Sequence, residues 1–360
     1  MKNIWKLLTV VLLFYSLLAG MLVPSGAGIQ TLSPAFLEKR GEAITLRMQA
    51  YNADYAQDVA SGKLQMRIRL NKSQSVCLSN LRTDAATGDL LADITLPKGA
   101  LPIDNTPLGK NKRSPFPLLE VNSPTYGYTS MQAAVSIADD GAAAADSTQF
   151  CATESYAATR GVSFPFLNIL EETIRNLFYH VPMWFGMLLL MLVSAIYAVR
   201  YLRAPQNRQL DHISRSFASI GLWYGVFGIL TGALWAKFTW GAWWSWDVKQ
   251  NTSAVALLIY MAYFVLRSSF EDAEQQARIS AIYNIFAFST LIPLLYIVPR
   301  MVDSLHPGMG GNPAFSSYDL DSSLRLVFYP AVVGWILLGV WMATLQARLL
   351  HLEDAAQAAR

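Results

Sequence analysis

The chain has 360 residues, of which 53% are hydrophobic and only 15% charged, and its formal net charge is +3. This composition is too apolar for an ordinary soluble domain and is typical of an integral membrane protein. The small net charge gives no indication of a nucleic-acid partner, and we expect none.

Apolar segments long enough to cross a bilayer occur six times. A helix needs roughly 20 apolar residues to cross about 30 Å of hydrocarbon. The six segments are Ile4–Val23, Val181–Leu202, Ser216–Lys237, Thr252–Phe270, Ile279–Met301 and Leu326–Leu345. The sequence therefore predicts an α-helical polytopic membrane protein with six transmembrane helices.

The basic residues of the short loops predict its orientation. They are concentrated before the first span, between residues 200 and 215, between 267 and 278, and after 347. Because such residues favour the cytoplasm, both termini are predicted to be cytoplasmic and residues 24–165 to lie outside. The first span is a cleaved signal peptide or an uncleaved anchor, and its long apolar run favours the anchor.

Residues 24–165 show the alternation of a β domain. Ile44, Leu46 and Met48 are apolar at every second position, as half-buried strands require. The same pattern predicts strands at 64–70, 75–81, 90–96 and 131–137, separated by the Gly- and Pro-rich stretches 97–117 and 139–146. We expect an all-β, sandwich-like insert between the first two transmembrane helices.

The two cysteines, Cys77 and Cys151, both fall in this insert. In an oxidising compartment they form either a disulfide or a reduced, packed pair, and their spacing leaves both alternatives open. The insert has no cluster of catalytic residue types, so docking or stability is its expected role. After it, Leu167, Leu170 and Ile174 recur at helical spacing and predict an amphipathic surface helix.

The most unusual segment is a tryptophan loop between the third and fourth spans. It places Trp240, Trp243, Trp244, Trp246 and Asp247 within eight residues. Flat apolar rings with N–H donors suit either a planar aromatic ligand or the interfacial belt of a membrane protein, and four so close together favour the ligand.

Two histidines are predicted to lie on the same side of the membrane as this loop. His180 precedes the second span, and His306 follows the fifth. Two neutral imidazoles can ligate a haem iron from opposite sides. The other two histidines, His212 and His351, are expected to be solvated or in contact with headgroups on the cytoplasmic side.

Haem propionates would also require cations near the two histidines. Four basic residues are available on the outer side: Lys237, Lys249, Arg300 and Arg325. Each is alternatively an anchor in the headgroup region.

The segment Trp240–Asp247 resembles the tryptophan-rich WWD motif of haem-handling proteins in cytochrome c biogenesis. With His180, His306 and one such loop between the third and fourth of six spans, residues 166–347 resemble CcmC-type haem-delivery (haem exporter C) subunits of cytochrome c maturation system I. The long insert departs from the compact family pattern. The domains expected are an N-terminal helix (1–23), the periplasmic insert (24–165), the haem-handling domain (166–347) and a cytoplasmic tail (348–360).

The resemblance implies a haem chaperone of the bacterial inner membrane, not a metabolic enzyme. It implies transient, non-covalent haem b held at the periplasmic surface by His180 and His306 as metal ligands, with Trp240, Trp243, Trp244, Trp246, Asp247, Lys249 and Arg300 around it. The implied partners are a CcmE-type periplasmic haem chaperone, ABC transporter subunits, a small CcmD-type membrane subunit and membrane lipid.

Sequence features bear on the alternatives. There is no Gly-Lys-Ser or Gly-Lys-Thr phosphate loop and no Cys-x-x-Cys-His motif, so ATP use and covalent c-type haem belong to other proteins. A CcsA-type cytochrome c synthetase of the second pathway is one alternative, and the absence of histidine within the predicted spans argues against it. A bis-histidine electron-transfer cytochrome, which would bury its ligands in the bundle, is a second alternative. A third is a structural transporter subunit whose tryptophans only anchor it in the bilayer.

Overall fold

The computed structural model describes residues 3–38, 41–104, 116–131, 134–138, 145, 150–151, 163–168, 170–302, 304–306 and 320–358. The chain divides into two compact units. The membrane unit comprises Met1–Leu22 and Thr173–Arg360, and the β unit comprises Val23–Glu172.

The membrane unit is a bundle of long helices. The helices are α1 (Ile4–Leu22), α3 (Leu177–Arg203), α4 (Arg208–Trp240), α5 (Val248–Ser268), α6 (Ala273–Ile292), α7 (Val298–Met301) and α8 (Ser322–Ala358), while the short α2 (Ala56–Ala60) belongs to the β unit. In the described part of the chain, five helical segments are long and apolar enough to cross a membrane: Ile4–Leu22, Glu171–Arg203, Arg208–Trp240, Ala273–Met301 and Ser322–Gln357.

Helix α5 coincides with the predicted fourth span but is not among those five. It has 21 residues, and polar residues at both of its ends lower its mean hydropathy. The chain therefore has the apolar helices of a polytopic membrane protein, and a sixth membrane crossing by α5 stays a prediction.

The structure has no separate amphipathic α-helix in the described residues directly before α3, so the prediction of a surface helix there is wrong. A 3₁₀ helix, Glu171–Asn176, leads directly into α3 instead. Two side-chain hydrogen bonds tie this turn to α4: Trp235 Nε1 donates to Thr173 Oγ1 at 3.1 Å, and Asn176 Nδ2 donates to the Thr231 carbonyl at 2.8 Å. The turn is thus part of the bundle, and it places His180 in the first turn of α3.

Glycines on α4 allow α3 to approach closely. A Cβ atom at Gly232 would lie 2.6 Å from Cε1 of His180, and one at Gly228 would lie 2.9 Å from the Trp184 ring. Small residues at helix interfaces permit such close packing in membrane proteins. The two glycines therefore form the surface against which His180 and Trp184 lie.

The fifth predicted span is a helix with a local irregularity. Between α6 and α7 the five residues Pro293–Ile297 form a π-helical turn. Such turns change the helical phase and are frequent at functional sites. The chain leaves this turn toward His306. The glycine-rich stretch after His306, with Met309, lies outside the described residues.

One further prediction for the membrane unit, that of a solvated His212, needs correction. Helix α8 continues through the predicted cytoplasmic tail to Ala358. His212, expected to be solvated, is only 4% exposed, and its Nε2 lies 2.9 Å from the carboxylate of Asp354 on that helical extension. The extension of α8 and the burial of His212 thus have one cause, the packing of the last turns of α8 on the first turns of α4.

The β unit consists of antiparallel sheets around an apolar core. Its strands are β1 (Gly28–Ser33), β2 (Phe36–Leu37), β3 (Ala43–Tyr51), β4 (Gln65–Arg69), β5 (Ser75–Cys77), β6 (Ser79–Thr83), β7 (Leu90–Thr95), β8 (Leu118–Ser123), β9 (Gly127–Met131) and β10 (Ser136–Ile137). One sheet has the order β1-β3-β7-β6 and the other β5-β4-β8-β9, with a short parallel pair β10-β2. Buried Leu46, Met48, Met66 and Ile68 contribute to the core between them.

Two of the predicted strands are divided in the structure. Residues 75–81 contain the end strands of two different sheets, because the chain passes from one sheet to the other at buried Leu78. Residues 131–137 likewise contain the end of β9 and the separate β10. Strands β1, β2 and β8 and all but the last residue of β9 were not predicted, since their sequences lack clear alternation.

The alternation also misplaces Arg67, which was expected on an exposed face. It is 3% exposed and forms an ion pair with Glu120, its cross-strand partner on β8, at 2.6 Å. Arg69 also pairs with Glu120, and Tyr128 donates to it at 2.8 Å. Of the two alternatives for the cysteines, the structure contains the disulfide, with Cys77 and Cys151 Cα atoms 5.8 Å apart.

Candidate functional site

The tryptophan loop is held in shape by the first turn of α5. Helix α4 ends at Gly241, which has a left-handed conformation with φ of 82°. Gln250 Oε1 accepts from both the backbone N–H and the hydroxyl of Ser245, at 2.9 and 3.0 Å. Asn251 accepts from Trp244 Nε1 at 3.2 Å and donates to the Trp246 carbonyl at 2.9 Å. These bonds preorganise the loop before any ligand binds.

The four tryptophans have different environments. Trp240 packs edge-on against His306, with ring centroids 4.8 Å apart, and Trp244 is tied to α5. Trp243 and Trp246 are 56% and 78% exposed. Trp246 also has a positive φ of 58°, a conformation that costs energy in a bulky residue and persists only where the surroundings impose it. Two rings are thus fixed, and two are presented outward.

Asp247 is the centre of the site. As the N-cap of α5, it accepts from the backbone N–H of Lys249 at 2.9 Å. It also accepts from Ser304 Oγ at 3.0 Å, from the Leu305 N–H at 2.8 Å and from His306 Nδ1 at 2.8 Å. Two of its four donors are thus backbone N–H groups. What the sequence did not reveal is that the same carboxylate holds the His306 segment against the tryptophan loop.

These contacts determine the charge of Asp247. Burial by itself would raise the pKa of the carboxyl, but the hydrogen bonds from His306, Leu305 and Ser304 outweigh burial and hold its pKa well below the ordinary 3.8. Asp247 is therefore a carboxylate at neutral pH. Because a carboxylate only accepts hydrogen bonds, His306 Nδ1 carries the proton, which leaves Nε2 as the nitrogen that can bind a ligand.

His180 has its proton on the same ring nitrogen as His306, but different groups accept it. Its Nδ1 lies 3.0 Å from the Gly228 carbonyl and 3.2 Å from Thr231 Oγ1. A carbonyl only accepts, so His180 Nδ1 also carries the proton and leaves Nε2 bare. Trp184 and Trp235 pack edge-on against the ring, at centroid distances of 6.3 and 5.8 Å. Histidines that ligate a metal through one ring nitrogen commonly donate the other ring N–H to a carbonyl or a carboxylate in this way.

The charged residues expected near the ligand are partly assembled. Electrostatic interactions link His180 with both His306 and Lys249, and Lys249 with Asp247 and Arg300. Arg300 is exposed, and its guanidinium lies 5.9 Å from the Tyr296 ring. Two other candidate cations are engaged by carbonyls: Lys237 donates to Gly241 at 3.0 Å, and Arg325 donates to Leu320 at 2.9 Å.

The structure therefore brings three predicted site residues, Trp240, Asp247 and His306, into direct contact, while His180, Lys249 and Arg300 are linked to this group by electrostatic interactions. Trp243 and Trp246 project from the loop, and Trp244 supports it. Sequence reasoning missed Gln250, Asn251, Ser304 and Thr231. One signal was present, because an N-cap Asp followed three residues later by Gln resembles a capping box. No comparable signal marks Ser304 or Thr231.

Comparisons with known proteins find similarity in the part of the chain that contains this site. Residues 165–306 match the family model "Cytochrome C assembly protein", and this range contains every predicted site residue. Heme exporter protein C of Haemophilus influenzae is 23% identical over 192 residues, which is 52% of this chain and 74% of that protein. Heme exporter protein C of Escherichia coli K12 is 24% identical over 184 residues, covering 50% and 71%.

A different relative shares a shorter region. Cytochrome c biogenesis protein CcsA of Prochlorococcus marinus is 36% identical over 81 residues, which is 22% of this chain and only 26% of that protein. The similarity to heme exporter C proteins extends over more than twice as many residues. The predicted resemblance is therefore confirmed: residues 165–306 match the cytochrome C assembly family model, and the chain is similar to CcmC-type heme exporter C proteins.

Proposed function

We propose that this protein handles haem for cytochrome c maturation, holding it as transferable cargo between His180 and His306 and delivering it to an acceptor chaperone. The observation that carries the proposal is the matched state of the two imidazoles. Each places its Nδ1 against an accepting protein oxygen, so that Nε2 is the nitrogen left to bind iron. Neutral imidazole with a bonded distal N–H is the form in which histidine ligates iron.

The chemistry of the surroundings fits haem. Trp240 lies against one imidazole and Trp184 and Trp235 against the other, and such aromatic surroundings suit a flat macrocycle. Lys249 and Arg300 supply positive charge for propionates. The exposed Trp243 and Trp246 offer apolar contact to the haem edge or to the acceptor.

Delivery rather than storage is supported by where the ligands lie. His180 is at the first turn of α3, and His306 is held by hydrogen bonds to Asp247 and Ser304. Breaking the few hydrogen bonds to Asp247 would free the His306 segment and one axial position without disturbing the bundle. Segments held by few contacts open at low free energy.

The proposed setting follows the similarity to heme exporter C proteins. We place the protein in a bacterial inner membrane, with six crossings, both termini cytoplasmic and the haem site periplasmic. Its proposed partners are a CcmE-type haem chaperone, ABC transporter subunits and a small CcmD-type subunit. The β unit is proposed as a periplasmic domain that docks a partner or shields the site. The proposed role is transfer of non-covalent haem b without turnover of a metabolite.

The test is a transfer experiment on the full chain purified with haem. His180→Ala and His306→Ala should each lower bound haem per polypeptide, whereas His351→Ala, which changes an exposed histidine at the other end of the bundle, should not. Mixing loaded protein with apo-chaperone should move the Soret absorbance to the chaperone.

Three results would overturn the proposal. Haem content unchanged in both site variants would refute ligation by these residues. Haem that stays bound under every partner and redox condition would favour an electron-transfer cytochrome. Haem attached directly to an apocytochrome, without the chaperone, would favour a CcsA-type synthetase.

A further inference from the structure

Buried polar side chains are concentrated at the end of the bundle far from the tryptophan loop. Among the described residues, ten buried side-chain polar atoms have no hydrogen-bond partner, and eight of them are in the membrane unit. Seven of the eight belong to helix halves distal to the loop: His212, Ser216, Tyr260, Arg267, Ser280, Asn284 and Gln346. Such groups are rare in native proteins, and each calls for a partner.

The orientation of Asn284 follows from its neighbours. The hydroxyls of Ser194 and Ser214 each donate to the other residue's carbonyl, at 2.6 and 2.9 Å. Having used their protons, both hydroxyls can only accept, and the Asn284 amide nitrogen donates to them at 2.7 and 3.1 Å. The Asn284 carbonyl oxygen must therefore point away from this cluster, where the described residues offer it no donor.

An ion pair lies one turn along α4 from that cluster. Arg267 Nη1 donates to Asp211 at 2.8 Å and Nη2 at 2.5 Å, and the guanidinium also bonds Tyr263. Asp211 and Ser214 are three residues apart and hence neighbours on one helix face. Arg267 Nε has no partner among the described residues. A buried donor and a buried acceptor thus remain unused in one continuous polar region.

The opposite face of α4 repeats the pattern against α8. His212 Nε2 bonds Asp354, but its Nδ1 has no partner within the described chain. Gln346 Nε2 donates to Ser219 at 3.4 Å, whereas its Oε1 and the buried Ser216 hydroxyl are unused there. Donors and acceptors are therefore mixed on both sides of the first three turns of α4.

We infer that this distal end of the bundle binds water, as an internal cluster of ordered molecules around the first three turns of α4. Water is the ligand that fits, because a single molecule can serve an unused donor and an unused acceptor together. A larger anion is disfavoured since Arg267 is already neutralised by Asp211. The hydration would also keep this pair ionised within an otherwise apolar bundle.

Three buried tyrosines of one chemistry provide the test. Tyr260 and Tyr263 lie in the distal polar region and are each 1% exposed, while Tyr224 is 4% exposed and donates to the Trp335 carbonyl at 2.6 Å. Radiolytic hydroxyl-radical labelling modifies buried side chains where water lies beside them. The full chain in lipid nanodiscs should be irradiated without haem, and oxidation of each tyrosine followed by mass spectrometry.

Tyr260 and Tyr263 should be oxidised several-fold faster than Tyr224, although all three are shielded from bulk solvent. Equal or slower oxidation would show a dry bundle end and overturn the inference. Because the wild-type chain is used, no substitution can confuse hydration with misfolding, and because haem is not involved, the result is independent of the proposed function.

Discussion

The two units of this protein each bury a carboxylate, and they use it differently. In the β unit, Glu120 is surrounded by Arg67, Arg69 and Tyr128, all on its own or the adjacent strands. In the membrane unit, Asp247 accepts from the imidazole of His306, a hydroxyl and one backbone N–H in another part of the chain, and from a second backbone N–H in its own helix. The first arrangement fixes the sheet. The second fixes a histidine whose other nitrogen is left available, which is what a ligand-binding site requires.

The largest expected effect is on the structural carboxylate. Glu120→Gln should destabilise the β unit by about 3–5 kcal/mol, because it leaves two arginine charges without their buried partner. Asp89→Asn, at the more exposed pair with Arg47, should cost no more than about 1 kcal/mol. Pulse proteolysis of the full chain at increasing urea would measure both. Equal, small losses would show that the Glu120 cluster is not a stabilising centre.

Replacement of Asp247 should affect haem affinity, whereas replacement of Glu120 affects stability. Asp247→Asn should weaken haem binding by about 10–100-fold, since an amide no longer dictates the protonated nitrogen of His306. Asp272→Asn is the matched control, because Asp272 is likewise an N-cap that accepts from a backbone N–H, here of Gln275 at 2.6 Å. Haem titration of both variants decides the issue: comparable affinities would mean that Asp247 is only a helix cap.

The packing of His180 offers a second probe of the site. Gly232→Ala places a methyl group 2.6 Å from the imidazole, so the ring must move and haem affinity should fall by about tenfold, the lower end of the effect of disturbing a ligand's support. Gly221→Ala meets only the flexible end of Met191 at 3.0 Å and should leave the affinity unchanged. An unaltered titration curve for Gly232→Ala would argue that His180 does not ligate haem in this position.

The smallest expected effect is a pH dependence confined to the β unit. Burial would raise the pKa of Asp58, but hydrogen bonds from Ser123 and Thr125 lower it below 3.8 overall. The stabilisation is therefore present above pH 3.8 and is lost as pH falls through the lower folded pKa. Asp58→Asn should cost about 1 kcal/mol at neutral pH, and its difference from wild type should shrink in acid. A difference that is constant with pH would contradict this role.

The sequence predicted the two regions unequally. Apolar spans and the tryptophan loop are visible because hydrophobicity and rare residue types need no tertiary context. Alternation located β3, β4 and β7 but placed Arg67 on an exposed face, because alternation describes one strand and cannot detect a cross-strand partner such as Glu120. His212 was misplaced for a related reason, since its partner Asp354 lies on a helical extension that no periodic pattern announced.

Within the site, the residue types were predictable and their connections were not. His180, His306 and the tryptophans could be named from chemistry and topology. The bond from His306 to Asp247 joins residues 59 positions apart, and the support of His180 comes from a backbone carbonyl on α4, which has no side-chain signature. The groups that accept hydrogen bonds from the two histidines are brought there by packing and can be identified only in the folded chain.

The central claim is that His180 and His306 together ligate haem iron through Nε2. The most direct measurement is low-temperature electron paramagnetic resonance of the full chain loaded with ferric haem, compared with His180→Ala and His306→Ala. The account predicts a low-spin signal typical of two imidazole ligands in the wild type, and its loss or conversion to a high-spin signal in each variant. A bis-imidazole signal that persists in either variant would contradict it.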